Sequence, residues 1–121
     1  GVDCRMTSDP EYLPAIRSIL VESYSPAGMP SEEIERIFSH ARRIFSPATC
    51  FVLATVDREP AATAMVLRAG GAVGIYWVGT RPKYSRRGLG TICTIAAVNA
   101  AFDLGERIIG LYATPAGRSV Y

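Results

Sequence analysis

The sequence predicts an α/β fold with a mixed sheet, in the element order β-α-α-β-β-β-α-β. Two observations carry this prediction: apolar residues recur at helical spacing early in the chain, and strand-like apolar runs follow one another from residue 49. A third is a final helix and strand placed after a loop with two glycines. Since 121 residues of which 49% are hydrophobic fall within the size of one domain, we expect residues 1–121 to form a single domain.

The N-terminal part of the chain predicts a short strand and two amphipathic helices. The strand runs from Val2 to Met6, and Asp9 before Pro10 is a helix start signal. Turn residues fill the segment Tyr24 to Pro30, and Ser31 with two glutamates opens the second helix. The apolar positions are Leu13, Ile16, Ile19 and Leu20 in the first helix and Ile34, Ile37, Phe38, Ala41 and Ile44 in the second.

The pattern then changes to strands. Runs at Cys50 to Val56, Ala62 to Arg68 and Val73 to Thr80 are separated by short turns, which favours an antiparallel meander. Thr91 to Leu104 has the length and spacing of a helix, and Arg107 to Ala113 of a further strand.

Charge and cysteine content exclude several classes of function. Thirteen basic against eleven acidic residues give a net charge of +2, too little for the basic field that nucleic-acid binding requires. Cys4, Cys50 and Cys93 lack metal-ligand or disulfide-framework spacing, so we predict reduced thiols and no metal site. No apolar run is long enough to span a membrane and no leader pattern is present, which predicts a soluble cytoplasmic protein without a membrane partner.

The segment before the last helix predicts an anion site. Free N–H groups and the positive end of the helix dipole face the loop, Gly88 and Gly90 remove obstructing side chains, and Arg86 and Arg87 add charge that favours a diphosphate. A dinucleotide fingerprint would need a glycine where Cys93 stands, and a P-loop would need Gly-Lys-Ser/Thr, so both are excluded. A tight turn without a ligand is the alternative that the loop by itself leaves open.

The segment from Val78 to Thr91 resembles the acetyl-CoA signature of the GNAT superfamily of N-acetyltransferases, Arg/Gln-x-x-Gly-x-Gly/Ala. Gly88 and Gly90 match that pattern, whereas Ser85 stands at its Arg/Gln position. The order of elements follows the family over essentially the whole chain. The stretch Leu111 to Tyr121 is similar to the family segment that ends in a helix-borne tyrosine, and the two strands that follow it in the family are absent from this sequence, which implies a C-terminally truncated member.

The resemblance implies that the chain transfers an acetyl group from acetyl-CoA, as co-substrate, to an amine. A backbone N–H near Val78 would polarise the thioester carbonyl, and Tyr121 occupies the position of the acid that protonates the leaving thiolate. The cofactor-binding residues implied are Val78, Gly79, Thr80, Ser85, Arg86, Arg87, Gly88, Leu89, Gly90 and Thr91.

A general base must also keep the attacking amine neutral, and the sequence does not select it. The candidates are Asp57, Glu59, Glu32, Glu33 and His40, each of which also suits a turn, a helix start or a solvated helix face.

Two further hypotheses follow from the departures from the family pattern. Ser85 at a consensus position keeps open a non-catalytic acyl-CoA-binding or regulatory module as the alternative function. The apolar residues Ile108, Ile109 and Leu111 are expected at an open sheet edge, which predicts a homodimer through that strand. The acceptor, a small-molecule or peptide amine, is not identified by any residue pattern.

Overall fold

The chain folds into a five-stranded sheet with helices on both faces. The computed structural model describes residues 1–28, 30–39, 49–69, 72–103 and 107–111. The strands are β1 (Val2–Thr7), β2 (Thr49–Val56), β3 (Glu59–Ala69), β4 (Ala72–Thr80) and β5 (Arg107–Leu111). The helices are α1 (Leu13–Tyr24), α2 (Ser31–Ile37) and α3 (Leu89–Asp103). This confirms the predicted α/β class and its element order.

The sheet order is β1-β2-β3-β4-β5, with the first three pairings antiparallel and the β4–β5 pairing parallel. The predicted meander is therefore confirmed. Asp57 and Arg58 join β2 to β3 with φ angles of 49° and 71°, the left-handed values that match a two-residue hairpin turn to the twist of the strands. β5 returns parallel to β4 because α3 forms the crossover between them.

Alternate side chains of β2 enter two separate cores. Phe51 and Leu53 pack with α1 and α2 on one face, whereas Val52 and Ala54 pack under α3 on the other. All four are at most 2% exposed. Burial on both faces explains why β2 is a continuous apolar run rather than an alternating one.

The predicted apolar faces of the first two helices form the core on the first face. Ile37 is the exception, because it is 38% exposed beside the fully buried Phe38. Ala41 and Ile44 lie outside the described residues. The fully buried members are Ile16, Ile19, Leu20, Ile34 and Phe38.

The second core lies under α3, where Leu89, Cys93 and Ala97 recur every four residues against the sheet. Cys4 of β1 packs against this cluster, and its thiol is hydrogen-bonded to that of Cys93, which lowers the pKa of Cys4 to about 7. Both thiols are free, as is that of Cys50. No helix in the described ranges is long and apolar enough to cross a membrane, and no metal-binding cluster occurs in them.

Candidate functional site

A β-bulge interrupts β4 where the predicted site begins. Across the β3–β4 pairing, Ala64 faces two residues, Trp77 and Val78. Trp77 has a φ of 51°, a left-handed value that is unusual for a bulky side chain. The bulge therefore bends the strand at the position just before the residues expected to meet a thioester.

Packing holds Trp77 in this conformation. Its ring lies 5.1 Å from that of Tyr24, tilted by 55°, and 5.1 Å from that of Phe38 in an edge-to-face arrangement of 89°. Offset and edge-to-face pairs at these separations are favourable. A strained backbone persists only where its surroundings over-determine it, and here two rings from α1 and from the end of α2 do so.

The second feature is the outer edge of β4, by which we mean the backbone of residues 78–80 on the side away from β3. Within the described ranges, the pairing of β4 with β5 runs only as far as Ile75. The Arg81 N–H donates to Ala61 O of β3 at 2.9 Å. Because backbone groups alternate in direction along a strand, Val78 and Thr80 direct theirs to the outer edge.

The C-terminal end of α1 reaches this outer edge with two hydroxyl groups. Tyr24 donates its O–H to Val78 O at 3.0 Å, and the Thr80 N–H donates to Ser23 Oγ at 3.3 Å. These partners are 54 and 57 residues apart in sequence. No residue pattern signals contacts of that separation, so the sequence interpretation missed both hydroxyl groups.

Gly79 makes this close approach of helix and strand feasible. A Cβ atom at Gly79 would lie 3.0 Å from Ser23 Oγ and 3.2 Å from Leu20 Cδ2. Such distances are tighter than ordinary side-chain contacts, so Ser23 and Leu20 would have to shift to admit even a methyl group. Gly79, which the sequence predicted to bind the cofactor, is therefore also the position where α1 packs closely against the sheet.

The side chain of Arg81, at the start of the segment that enters the loop, bridges α1 and β3. Its Nε lies 2.9 Å from Glu22 Oε2, its Nη2 donates to Ser18 Oγ at 3.0 Å, and its Nη1 lies 3.4 Å from Glu59 Oε1. The Arg81 side chain is 19% exposed. Arg81 was not among the residues predicted from sequence, because its partners come from two other elements.

One of the candidate bases, Glu59, is bound by Arg81 and by its neighbour Lys83. Glu59 accepts hydrogen bonds from Lys83 and Arg81 at 3.4 Å, and its pKa is lowered mainly by a hydrogen bond from Tyr84, with Lys83 and Arg81 contributing. A carboxylate with a lowered pKa is a weaker base. Of the others, Asp57 is in the exposed hairpin turn, Glu32 and Glu33 are exposed in the first turn of α2, and His40 lies outside the described residues.

Residues 85–88, called the glycine loop below, lead from a 3-10 turn at Pro82–Tyr84 into α3. Ser85 donates its hydroxyl to Pro82 O at 2.9 Å and so closes this turn. Arg86 and Gly88 have φ angles of 64° and 75°. Space around Gly88 is open, since a Cβ there would meet nothing within 4 Å. Backbone conformation rather than crowding therefore favours glycine at this position.

Helix α3 begins at Leu89, so the predicted start at Thr91 was two residues late. Leu89 is 2% exposed and anchors the first turn in the core under α3. The Ile92 N–H donates to Gly88 O at 3.0 Å, which makes it the first to bond back into the turn. The N–H groups of residues 89–91 precede it, lack helical partners and face the glycine loop.

Gly88 has a left-handed backbone whereas Gly90 is helical, so we expect alanine at these two positions to change stability in opposite directions. A Cβ at Gly90 would lie 3.7 Å from Thr80 Oγ1, an ordinary contact, and Gly90 is helical. Gly90→Ala should raise the free energy of unfolding by about 0.5–1 kcal/mol, because alanine loses less backbone entropy in a helix. Gly88→Ala should lower it by about 1 kcal/mol because of the left-handed φ. Urea unfolding of both variants measures this, and equal shifts would contradict it.

Sequence comparison decides the family. The profile of the acetyltransferase (GNAT) domain matches residues 3–116, almost the entire chain. The chain belongs to the GNAT family of acetyltransferases. None of the curated protein sequences compared is similar enough to count as a match.

Several solved structures share the fold of this GNAT domain. An acetyltransferase from Pyrococcus horikoshii has a TM-score of 0.77 at 20% identity, covering 100% of this chain and 41% of the other. An acetyltransferase from Clostridium acetobutylicum, solved with acetyl-CoA, has 0.75 at 20% identity, covering 100% and 86%. The PaiA N-acetyltransferase from Thermoplasma acidophilum, solved with coenzyme A, has 0.77 at 17% identity, covering 100% and 86%.

The predicted site residues of this GNAT domain fall into two groups that the fold places in succession. Val78, Gly79 and Thr80 form the end of β4, and the stretch 85–91 forms the glycine loop and the first turn of α3. The segment from Arg81 to Tyr84, which is held by the ion pairs of Arg81, joins the two groups. Tyr121 lies outside the described residues.

Proposed function

We propose that the chain is an N-acetyltransferase that moves the acetyl group of acetyl-CoA to an amine. The observation that supports this most directly is the continuity of the outer edge of β4 with the glycine loop and the start of α3. An extended pantetheine arm and a pyrophosphate need these two surfaces side by side. Membership of the GNAT family, and structures of similar fold solved with acetyl-CoA or coenzyme A, support the same co-substrate.

In this proposal the backbone binds most of the co-substrate. The Val78 N–H, on the outer edge, stabilises the charge that develops on the thioester oxygen during attack. The pantetheine arm runs along the outer edge of β4, pairing with the backbone of Thr80 beside Gly79, and the pyrophosphate binds the N–H groups at the start of α3. The proposed co-substrate residues are Val78, Gly79, Thr80, Ser85, Arg86, Arg87, Gly88, Leu89, Gly90 and Thr91.

The chemical step needs a neutral amine and an acid for the leaving group. Attack forms the C–N bond, breaks the C–S bond and leaves a thiolate. On the resemblance stated above, we assign Tyr121 as the acid that donates a proton to this thiolate. The amine loses its extra proton to a base that stays unassigned. The N-acetyltransferase of similar fold supports an amine as acceptor.

The alternative is an acyl-CoA-binding module without turnover. The observation that favours it is the hydroxyl of Ser85, which is used to close the turn on Pro82 O, where the family pattern has an Arg or Gln side chain. Binding and turnover measured on the same protein separate the two functions.

The decisive experiment is calorimetric titration of acetyl-CoA into the chain and into Gly88→Glu. We expect binding by the parent and a loss of at least roughly tenfold in affinity for the variant, because the added carboxylate repels the pyrophosphate at short range. Gly88→Asn is the matched control, since asparagine tolerates the left-handed backbone and adds no charge.

Three outcomes decide between the proposals. Binding by the parent and by Gly88→Asn, together with thiol release when a panel of amines is added, supports the enzyme. Binding without thiol release for any amine supports the module. No binding by the parent would overturn both and leave the glycine loop as a turn only.

Three other expectations stay predictions. These are the single domain formed by residues 1–121, the cytoplasmic location, and the homodimer through β5, which is the last strand of the sheet within the described ranges.

A further inference from the structure

Two of the cysteines, Cys4 of β1 and Cys93 of α3, meet inside the fold although three strands come between them along the chain. Cys4 pairs with Ala54 of β2, which is fully buried in the core under α3. Paired residues of neighbouring strands point to the same face, so Cys4 faces α3. From the other side, Cys93 points to the sheet in one stripe with Leu89 and Ala97. The two side chains therefore approach each other from the sheet and from the helix.

A hydrogen bond joins the two thiols. It is the main reason that the pKa of Cys4 is lowered to about 7, and together with burial it raises the pKa of Cys93. Because the two shifts are opposite, Cys93 is the donor and Cys4 the acceptor. A thiolate fraction therefore exists on Cys4 near neutral pH, while Cys93 keeps its proton.

The two sulfur atoms differ in their access to solvent. Cys4 is partly exposed, and β1 is the first strand in the sheet order within the described ranges. Cys93 is 0% exposed. A small oxidant that arrives from solvent thus reaches Cys4 first, and the buried thiol of Cys93 is already in contact with the sulfur that has been oxidised.

Cys50, the third cysteine, lies too far from Cys4 to form a disulfide with it. It is four residues along β2 from Ala54, the residue that faces Cys4. At about 3.3 Å per residue this is about 13 Å, whereas Cα atoms joined by a disulfide lie less than about 7 Å apart. Burial also raises the pKa of Cys50, with Arg68 acting against it. Cys50 is therefore an internal control.

We propose that Cys4 and Cys93 form a reversible disulfide when the protein meets a hydroperoxide, which ties β1 covalently to α3. The Cys4 thiolate attacks the peroxide, so that an S–O bond forms and the O–O bond breaks. The hydroxide that leaves becomes water with the proton that the thiol had lost. The Cys93 sulfur then attacks the sulfenic sulfur, the S–S bond forms, and the second hydroxide leaves as water with the Cys93 proton.

This step is balanced, because two thiols lose two electrons and hydrogen peroxide becomes two molecules of water. It restores to thiols when a reductant such as dithiothreitol exchanges with the disulfide. The proposal goes beyond acetyl transfer and is independent of acetyl-CoA binding, so the failure of one leaves the other standing.

The test is peptide mapping after the folded chain has been treated briefly with hydrogen peroxide and its free thiols have been blocked under denaturing conditions. Trypsin places the cysteines on separate peptides, residues 1–5, 44–58 and 88–107. The parent should yield peptides 1–5 and 88–107 as a cross-linked pair, with a mass two hydrogens below their sum. Dithiothreitol should restore both thiols, and the peptide with Cys50 should stay uncrosslinked.

Two variants separate this pair from unspecific oxidation. Cys50→Ser should form the same cross-link at the same rate as the parent. Cys4→Ser should form none and should keep Cys93 reduced, because that thiol is buried. Both substitutions are at partly exposed positions, which makes them a matched pair.

Urea unfolding supplies a second measurement. A disulfide that closes a long loop without distortion stabilises a fold by restricting the unfolded chain. The peroxide-treated parent should therefore unfold at a higher urea concentration than the reduced parent, and Cys4→Ser should show no such shift.

Four results would overturn the proposal. These are a cross-link to Cys50, oxidation of Cys4 without a cross-link, a lower urea midpoint for the cross-linked form, and free thiols throughout the folded chain under conditions that oxidise the unfolded chain.

Discussion

Replacing Gly79 by valine should lower both the stability of the fold and the affinity for acetyl-CoA. The added Cβ would lie 3.0 Å from Ser23 Oγ and 3.2 Å from Leu20 Cδ2, and the valine methyl groups would extend further into α1. Overpacking of this kind costs about 2 kcal/mol. We expect the valine to push Ser23 and Leu20, and with them the end of α1, away from the strand, which weakens the contacts of Ser23 and Tyr24 with the outer edge of β4. Urea unfolding and calorimetric titration measure the two effects.

A graded series controls for a general effect of substitution. Gly79→Ala adds only the Cβ and should fall between the parent and Gly79→Val in both measurements. Loss of stability without loss of affinity would show that the position of α1 does not matter for binding. A valine variant equal to the parent in both would contradict the close packing of helix and strand.

Truncating Phe38 to alanine should reduce the free energy of unfolding by about 3–5 kcal/mol, the usual cost of deleting a fully buried phenylalanine. Phe38 is 0% exposed, and its ring contacts those of Phe51 at 6.4 Å and Trp77 at 5.1 Å. Its N–H also donates to Ile34 O at the end of α2. Ile37→Ala is the neighbouring control, with an expected cost under about 1 kcal/mol because that side chain is 38% exposed.

The Phe38→Ala variant also tests whether Phe38 supports the bulge at Trp77. Trp77 is the single tryptophan of the chain, so intrinsic fluorescence is specific to this position. Loss of the Phe38 ring should admit water beside Trp77 and shift its native-state emission to the red. An unshifted spectrum together with a stability loss below about 1 kcal/mol would show that Phe38 does not support the bulge.

The elements were predictable because they depend on local patterns. The spacing of Leu13, Ile16 and Ile19 places them on one helical face whatever the rest of the chain does, and the apolar run at Cys50 to Val56 predicted the strand β2. The start of α3 was predicted two residues late, since the burial of Leu89 depends on the core beneath it.

The sequence by itself determined the order of helices and strands and the position of the glycine loop before α3, because periodicity and glycine placement act over a few residues. Only the tertiary structure decided what surrounds that loop: the bulge at Trp77, the hydroxyl of Tyr24 on Val78 O and the ion pairs of Arg81. The physical reason is separation along the chain. Arg81 meets Ser18 across 63 residues, and the left-handed backbone of Trp77 exists only because rings from α1 and from the end of α2 pack against it.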